Sequence, residues 1–528
     1  MIELFDTTLR DGCQGEGVSF SAEDKLNICK RLDALGIKYI EGGQPGSNPK
    51  DVEFFARAAK TQFSQAVVVA FGSTRHAGVR VEDDPNLSAI LGSGVKAAAI
   101  FGKAWDFHVT NALRTTLEEN LKMVRETVLY LKSKGLEVIF DAEHFFDGYK
   151  RNQDYALQVI GEAERAGADC IVLCDTNGGV LTHEVHTIVR RMKAEASCRL
   201  GIHTHNDSGV AVANTLVAVQ AGATHVQGTI NGYGERCGGA DLCQVIPNLQ
   251  LKLGFPCVGE EQLASLAELS RYVSEQANLS PNDRQPFVGK SVFAHKGGMH
   301  VSALMRHPET YEHIRPELVG NERRVLISEL SGLSSVVYKA REFKIDLEKN
   351  APALRAVVDT VKRLEYEGYN FEGADASFEL LLRGALGSRP KFFDLVGFRL
   401  IIEKRSPGED PSAEATVKVR VGDRVVHTVS DGAGPVNALD SALRKALEEV
   451  YPGLGRIKLT DYKVRVLNEN AGTGARVRVL ITSSDDGGSW GTVGVSENII
   501  EASWRALVDS IEYGLAAQAA QETGSQDT

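Results

Sequence analysis

Along the first 250 residues, short apolar runs alternate with longer segments whose apolar residues recur at the spacing of an amphipathic helix. The helical segment "SAEDKLNICKRLDALG", for example, opens on a serine that can cap a helix and ends near a glycine. Strand–helix alternation with short connections indicates a parallel sheet, and eight such units indicate a closed (β/α)8 TIM barrel. The apolar runs predict strands near residues 2–6, 37–41, 67–71, 96–101, 136–141, 170–174, 200–204 and 225–230.

Beyond the predicted barrel, which we assign to residues 1–270, the pattern changes twice. Residues 271–370 contain helical segments and predict small linker or lid subdomains. Residues 371–515 contain strand-like runs followed by a helix, twice in the same order, and predict an α+β C-terminal domain of two related halves. The first of these runs, "FELLLRGAL", is predicted to be strand-like, and residues 516–528 are predicted to be a disordered tail.

The charge and hydropathy of the chain argue against proteins that bind nucleic acid or span a membrane. The 528 residues carry a formal charge of -11, scattered rather than blocked, which argues against a nucleic-acid surface and favours small-molecule partners. A charged segment followed by an apolar one is missing at the N-terminus, and apolar stretches fall short of the roughly 18 residues of a membrane span. We therefore expect a cytoplasmic protein that binds neither nucleic acid nor membrane.

Polar residues gather where the predicted strands end, which is where barrel enzymes hold their active sites. His203 and His205, in "GIHTHND", are two residues apart on strand 7, so their side chains share a face at a spacing of roughly 6.5 Å. Asp11 follows strand 1, which only strand 8 separates from strand 7. Two imidazoles and a carboxylate suit a divalent ion with open positions, whereas the alternative is a pair of rim histidines bonded to carbonyls.

Arg10 lies beside Asp11 and could stabilise negative oxygen on a substrate, or could form an ion pair with Glu41 or Glu143. Glu143, at the end of strand 5, is a candidate base or a supporting partner.

Thr176 and Asn177, after strand 6, could bind a substrate carboxylate or form a turn. His300 and Tyr311 could close over the barrel, although spacing alone does not place them there. The residues together indicate a metal-dependent barrel enzyme that acts on a small carboxylate-bearing substrate.

Three motifs, "DTTLRDG" at 6–12, "HTHND" at 203–207 and "GYGERCGG" at 232–239, resemble the α-isopropylmalate, homocitrate and citramalate synthase family of metal-dependent Claisen-condensing barrels. "EGGQPGSNPKD", "FDAEHFFDGYK", "CDTNGG" and "FAHKGGMHVSA" resemble the citramalate synthase branch most closely. The resemblance covers nearly the whole chain, because the paired halves after residue 371 look like the regulatory domain of these enzymes.

The resemblance implies an acyltransferase that condenses acetyl-CoA with pyruvate and hydrolyses the thioester to (R)-citramalate and CoA, in isoleucine biosynthesis through 2-oxobutanoate. It implies a divalent ion, Mn²⁺, Mg²⁺ or Zn²⁺, held by Asp11, His203 and His205. Two alternatives stay open, an isopropylmalate or homocitrate synthase that uses another 2-keto acid, and a non-catalytic metabolite sensor.

Further roles follow from the same resemblance. Arg10 would stabilise negative oxygen and bind substrate, Glu143 matches the family's catalytic glutamate, and Thr176 matches a threonine that contacts the keto acid. His300 matches a histidine that reaches the active site from the following subdomain of the other subunit, with Tyr311 near it, so a homodimer is expected. The C-terminal domain is expected to bind isoleucine as an effector.

Asp141, with Phe145 and Phe146, would suit a small keto acid if these residues line the pocket, and Asn177 is expected to join Thr176 at the substrate.

The chain departs from the family pattern at two positions. Many members have Asn, an additional metal ligand, where this chain has Gly239, so we expect metal binding here to be weaker or to involve more water. Ser302 stands where some relatives place an acidic residue, which bears on how acetyl-CoA is deprotonated.

Overall fold

The eight apolar runs form the parallel strands of a closed barrel in the computed structural model, which describes residues 2–345, 351–467 and 469–524. Each strand pairs with the next, and the eighth pairs with the first through Glu3–Asp6 and His225–Gly228. The predicted TIM barrel is therefore confirmed. The barrel strands are β1 Glu3–Asp6, β2 Tyr39–Gly43, β3 Val67–Ser73, β4 Ala97–Lys103, β5 Glu137–Glu143, β6 Cys170–Asp175, β7 Arg199–Thr204 and β8 His225–Gly228.

Alternation of side chains along the strands produces two apolar layers. One cluster joins Phe5, Tyr39, Val69 and Val172 from four strands, and a larger one packs the remaining strand side chains against the surrounding helices. Apolar side chains cover both faces of the sheet, so the polar side chains that could form a site lie mainly towards the strand ends.

Helices surround the barrel, and the first begins as predicted at Ser21, whose side chain accepts a hydrogen bond from the Asp24 backbone in a reciprocal capping box. The helices are α1 Ala22–Leu35, α2 Pro49–Ala58, α3 Pro85–Gly92, α4 Asp106–His108, α5 Leu117–Ser133, α6 Phe145–Arg151, α7 Gln153–Arg165, α8 Thr182–Glu195, α9 Ala211–Gln220, α10 Leu242–Pro247, α11 Glu260–Leu263 and α12 Leu266–Gln276. Short 3-10 and π-helical turns lie at Gly12–Gln14, Val81–Asp83, Val109–Leu113, Ile230–Gly232 and Asn248–Lys252.

The chain divides into two compact units. The first contains Met1–Phe293 and Ile314–Glu322, and the second contains Ala294–His313 and Arg323–Thr528. The segment predicted as a linker, residues 271–370, is therefore shared between them. The second unit begins with β9 Ala294–His295, α13 Gly298–Arg306, β10 Arg324–Val325, α14 Leu333–Glu342, α15 Ala351–Tyr366 and α16 Asp375–Ala385, and short 3-10 turns lie at Pro308–Thr310 in this unit and at Pro316–Val319 in the first.

Two three-stranded antiparallel sheets, each followed by a helix, complete the second unit and match the two predicted halves. In β12, Ala415, Val417 and Val419 are buried against α17 while Glu414 and Lys418 are exposed, which is the two-residue alternation of a sheet with one covered face. The elements are β11 Asp394–Glu403, β12 Ser412–Val421, β13 Arg424–Gly432, α17 Pro435–Leu447, β14 Lys458–Val466, β15 Val477–Asp485, β16 Gly488–Ser496 and α18 Ile499–Gly524, with 3-10 turns at Pro452–Arg456 and Glu469–Gly474.

The predicted strand "FELLLRGAL" is wrong, because these residues belong to helix α16. Phe378 and Leu382, four residues apart, are buried in one apolar cluster, and Arg383 pairs with Glu379 at 2.6 Å across one helical turn. A short apolar run does not distinguish a strand from a buried helix, whereas the spacing of this ion pair does.

The disordered tail predicted from residue 516 is wrong as far as Gly524, because α18 continues to that residue. Its last turns are rich in Ala, Gln and Glu, which favour a helix, and Leu515 and Gln518 are buried. Residues 525–528 lie outside the described residues. Among the helices that are described, none has the length and apolar character needed to cross a membrane.

Candidate active site

A cavity of about 270 Å³ opens at the carboxyl ends of the barrel strands and collects most of the predicted site residues. Asp11 and Arg10 come from the turn after β1, Asp141 and Glu143 from the end of β5, and the histidines from β7. The cavity is lined by Arg10, Asp11, Gln14, Gln44, Phe71, Phe101, Asp141, Glu143, Cys174, Thr176, His203, His205 and Glu235.

Asp11, His203 and His205 form the predicted metal cluster. Oδ2 of Asp11 lies 3.5 Å from Nε2 of His203 and 3.7 Å from Nε2 of His205, and the three candidate ligand atoms lie within 4.8 Å of one another. Oδ2 of Asp11 is buried, yet it has no hydrogen-bond partner among the described residues. A cation would satisfy that oxygen, and a carboxylate with two imidazoles is a suitable donor set for a divalent ion.

The protonation states of these three groups also suit a metal. Burial lowers the pKa of His203 to about 4, and it lowers the pKa of His205 as well, so both imidazoles stay neutral. Burial acts to raise the pKa of Asp11, but the charge of Arg10 brings it below its ordinary value. Neutral imidazoles and an ionised carboxylate are the forms that bind metal.

Arg10 forms an ion pair, which is one of the two interpretations that its sequence position left open, and its role towards a substrate stays a prediction. Its Nε donates to Oε2 of Glu41 at 2.6 Å, its Nη1 lies 3.7 Å from Oδ1 of Asp11, and its guanidinium covers the Phe71 ring at 3.9 Å. Glu41 is fully buried and also accepts a hydrogen bond from Thr7. The ion pair is thus with Glu41 rather than Glu143, and it holds the guanidinium at the wall of the cavity.

Glu143 lines the cavity and forms an ion pair with Lys103 at the end of the neighbouring strand β4. Sequence reasoning missed Lys103, although its place at the end of a predicted strand could have revealed it. The pair holds the Glu143 carboxylate at the wall of the cavity that contains the metal cluster, with the ammonium group of Lys103 beside it.

The candidate substrate residues do not all reach the cavity. Asp141 and Thr176 line it, and Oγ1 of Thr176 accepts a hydrogen bond from the His144 backbone at 2.9 Å. Asn177 instead donates to Asp147 at 2.9 Å and is not part of the lining. Adjacent residues after a strand point in different directions, so the grouping of Asn177 with Thr176 is not reproduced.

The aromatic wall of the cavity differs from the predicted one. Phe145 and Phe146 are fully buried in the core at the start of α6 and do not line the cavity. Phe71 and Phe101 line it, and their rings stack with centroids 5.2 Å apart. Sequence reasoning missed them because only the register of β3 and β4 brings these two rings together.

Asp141 is a buried carboxyl whose pKa is raised to about 8, chiefly by burial and further by the charge of Glu41. The folded chain therefore keeps a proton here that the unfolded chain releases near pH 4, so Asp141 destabilises the fold as the pH rises towards 8. The Asp141→Asn variant lacks this loss of stability. Between pH 5 and 8, its free energy of unfolding minus that of the parent chain should therefore increase by about 1.4 kcal/mol for each unit by which the pH rises. Urea titrations of both chains with a chelator test this, and a difference that does not vary with pH would contradict it.

Gly239 lies opposite His205, a member of the metal cluster, in an isolated β-bridge. A Cβ atom added there would meet only the Thr204 carbonyl oxygen, at an ordinary 3.7 Å, whereas at Gly238, with φ +82°, it would come within 1.9 Å of the Gly232 oxygen. An asparagine can therefore be accommodated at 239 but not at 238.

We predict that Gly239→Asn lowers the Kd for Mn²⁺ by about tenfold, the effect of roughly 1.4 kcal/mol from one additional ligand. Calorimetry on the metal-free chain measures it, with Gly238→Asn as the variant expected to lose stability instead. An unchanged Kd would remove the hypothesis that metal binding is weakened by the glycine.

His300 and Tyr311 lie in the second unit, where their rings stack with centroids 4.1 Å apart. Ser302 follows in the same helix α13 as His300. Their predicted place at the mouth of the barrel stays a prediction.

Three protein-family models match successive parts of the chain. A model described as HMGL-like matches residues 1–273, a homocitrate synthase post-HMGL domain-like model matches 287–368, and a LeuA allosteric (dimerisation) domain model matches 372–515.

Curated relatives match almost the full length. The (R)-citramalate synthase of Geobacter sulfurreducens is 56% identical over 515 residues, covering 98% of this chain and 98% of the relative. The (R)-citramalate synthase of Aquifex aeolicus is 55% identical, covering 97% and 98%. A 2-isopropylmalate synthase of Methanocaldococcus jannaschii is 30% identical, covering 98% and 95%. Identity to these two (R)-citramalate synthases is thus higher than identity to this 2-isopropylmalate synthase.

Proposed function

The chain belongs to the HMGL-like family and, within it, to the (R)-citramalate synthases, and from this premise we propose that it condenses acetyl-CoA with pyruvate and releases (R)-citramalate and CoA. The observation that carries the proposal is one cavity in which Asp11, His203 and His205 cluster beside Arg10 and Glu143. The product would enter isoleucine biosynthesis through 2-oxobutanoate, in the cytoplasm.

The chemistry divides among these side chains. A divalent ion held by Asp11, His203 and His205 would supply polarisation of the pyruvate keto group. Glu143, which lines the cavity, would accept a proton from the methyl group of acetyl-CoA. The carbanion then forms a bond to the keto carbon while the π bond of the keto group breaks. The oxygen that becomes negative is stabilised by Arg10 and takes up the proton that the methyl group lost, and water then hydrolyses the thioester to release CoA. Mn²⁺, Mg²⁺ and Zn²⁺ all suit the donor set.

The stacked rings of Phe71 and Phe101 line the cavity and would favour a small acceptor, because they fill space that the side chain of a larger 2-keto acid needs. We predict that Phe101→Val raises the kcat/KM ratio of 2-oxoisovalerate to pyruvate by about tenfold or more, the usual value of one or two methylene groups in an apolar pocket. Parallel assays with both acids measure the ratio.

Phe140→Val is the matched control, because Phe140 lies one residue before Asp141 but is buried in the barrel-to-helix core. It should lower stability and leave the ratio unchanged. An equal change of the kcat/KM ratio in both variants would show that the ratio responds to general loosening of the barrel and not to the Phe71–Phe101 wall.

A homodimer is supported by the dimerisation-domain match and by apolar side chains that remain exposed on the outer strand of the first C-terminal sheet. Val396 and Ile402 of β11 are 48% and 58% exposed. We further propose that His300 and Tyr311 act at the barrel of the partner subunit, and that isoleucine binds the C-terminal domain and lowers activity. Unchanged CoA release at millimolar isoleucine would remove the effector.

The deciding experiment measures CoA release with a thiol reagent, using pyruvate, 2-oxoisovalerate and 2-oxoglutarate as acceptors with and without a chelator. Chelator-sensitive release with pyruvate alone is expected. Preference for another acid would retain the mechanism and change the product, as in an isopropylmalate or homocitrate synthase. Release with none of them would favour a metabolite sensor.

A further inference from the structure

We propose that Gln227 is a positioning residue that fixes which ring nitrogen of His203 faces the metal and links this ligand to Asp141 in the keto-acid cavity. Gln227 lies on β8 next to β7, and its side chain is 1% exposed. The inference rests on the metal-binding role proposed for His203 and is independent of which keto acid is the acceptor.

The amide of Gln227 bonds at both ends. Its Nε2 donates to Oδ1 of Asp141 at 3.0 Å, and its Oε1 lies 2.9 Å from Nδ1 of His203. A carboxyl oxygen can accept from the amide whether or not Asp141 carries a proton. In the structure the amide nitrogen faces Asp141, and the amide oxygen faces the histidine.

This orientation dictates the tautomer of His203. The amide oxygen is only an acceptor, so Nδ1 must carry the proton, and a neutral imidazole has one proton to place. Nε2 is then left with its lone pair, and Nε2 is the atom that lies 3.5 Å from Oδ2 of Asp11. Gln227 thus prepares His203 as a ligand before any metal binds.

His205 provides the contrast within the same cluster. Its Nδ1 is buried and has no hydrogen-bond partner among the described residues, so no such contact selects its tautomer. The prepared ligand is therefore His203. Asp141 lines the keto-acid cavity and accepts the hydrogen bond that orients Gln227. A substitution of Asp141 should therefore also alter the tautomer of His203 and its affinity for the metal.

The test compares Gln227→Met with Gln285→Met in the full-length, metal-free chain. Gln285 is a matched control, since it is also buried, at 7% exposure, and its Nε2 donates to a buried carboxylate, Oδ2 of Asp241, at 2.9 Å. Side-chain ¹H–¹⁵N spectra of ¹⁵N-histidine chains report the tautomer of His203, with the signal identified from His203→Gln. Calorimetry with Mn²⁺ reports the Kd.

We expect a single Nδ1–H tautomer of His203 in the parent chain and in Gln285→Met, and a mixture in Gln227→Met with a Kd for Mn²⁺ about 10- to 100-fold weaker. Asp141→Leu, which removes the oxygen that orients the amide, should also give a mixture and provides the test if Gln227→Met does not fold.

A His203 tautomer that stays single in both Gln227→Met and Asp141→Leu would overturn the proposal. An equal weakening of Mn²⁺ binding in Gln227→Met and Gln285→Met would also overturn it, because the cause would then be general loosening of the barrel. Failure of the parent chain to bind Mn²⁺ would contradict the proposed function instead, while the tautomer measurement would still test Gln227.

Discussion

Replacement of Asp11 by Asn is expected to lower kcat/KM for pyruvate and acetyl-CoA by about 10³-fold or more, and to abolish Mn²⁺ binding at concentrations that saturate the parent chain. The substitution keeps the shape of the side chain but removes its charge. In the parent chain, Oδ2 of Asp11 is buried without a hydrogen-bond partner among the described residues and faces Nε2 of both histidines. In Asp11→Asn a neutral oxygen or an N–H group would take the place of that oxygen. Loss of the metal should remove several kcal/mol of transition-state stabilisation. Because roughly 1.4 kcal/mol corresponds to a tenfold change in rate, the expected fall in kcat/KM is about 10³-fold or more.

Asp33→Asn is the control for this experiment. Asp33 is also a buried aspartate of the barrel unit, but its carboxylate accepts backbone N–H bonds from Ser64, Gln65 and Ala66 outside the cavity. Its replacement should reduce the free energy of unfolding and leave Mn²⁺ affinity unchanged. If Asp11→Asn binds Mn²⁺ as tightly as Asp33→Asn does, the metal lies elsewhere and the assignment of the cluster fails.

The barrel and its metal cluster could be predicted from the sequence because both depend on local patterns. Buried parallel strands are continuous apolar runs, and the two-residue spacing of His203 and His205 places both on one face of β7. Asp11 follows because the carboxyl ends of the strands meet at one rim. Each of these inferences needs only strand order, which the alternation of strands and helices supplies.

The walls and supports of the site could not be predicted in the same way, because they depend on strand register. Lys103 reaches Glu143 because these two residues are directly paired between β4 and β5. Phe71 and Phe101 stack across β3 and β4, and Gln227 reaches Asp141 across the barrel interior. Sequence spacing within one strand does not show which residues of other strands stand at the same level.

Arg10→Lys is expected to lower kcat by about 10²- to 10³-fold, the loss that follows removal of one donor to a developing negative oxygen. Lysine keeps the charge but cannot reproduce the geometry, because the Nε–Glu41 bond at 2.6 Å and the stacking on Phe71 both use the planar guanidinium. Mn²⁺ affinity should change little, since Arg10 is not a ligand. Separate measurement of kcat, KM and the Mn²⁺ Kd distinguishes these effects.

Arg199→Lys is the matched control for Arg10→Lys, since Arg199 pairs with Glu3 and Glu137 at the amino ends of the strands, on the opposite side of the barrel. It should alter the free energy of unfolding and leave kcat unchanged. A rise in KM at unchanged kcat for Arg10→Lys would show that the guanidinium binds the substrate equally in the ground and transition states. A fall in kcat with KM held instead requires an interaction that strengthens as charge develops, which is the role that the Glu41-oriented guanidinium predicts.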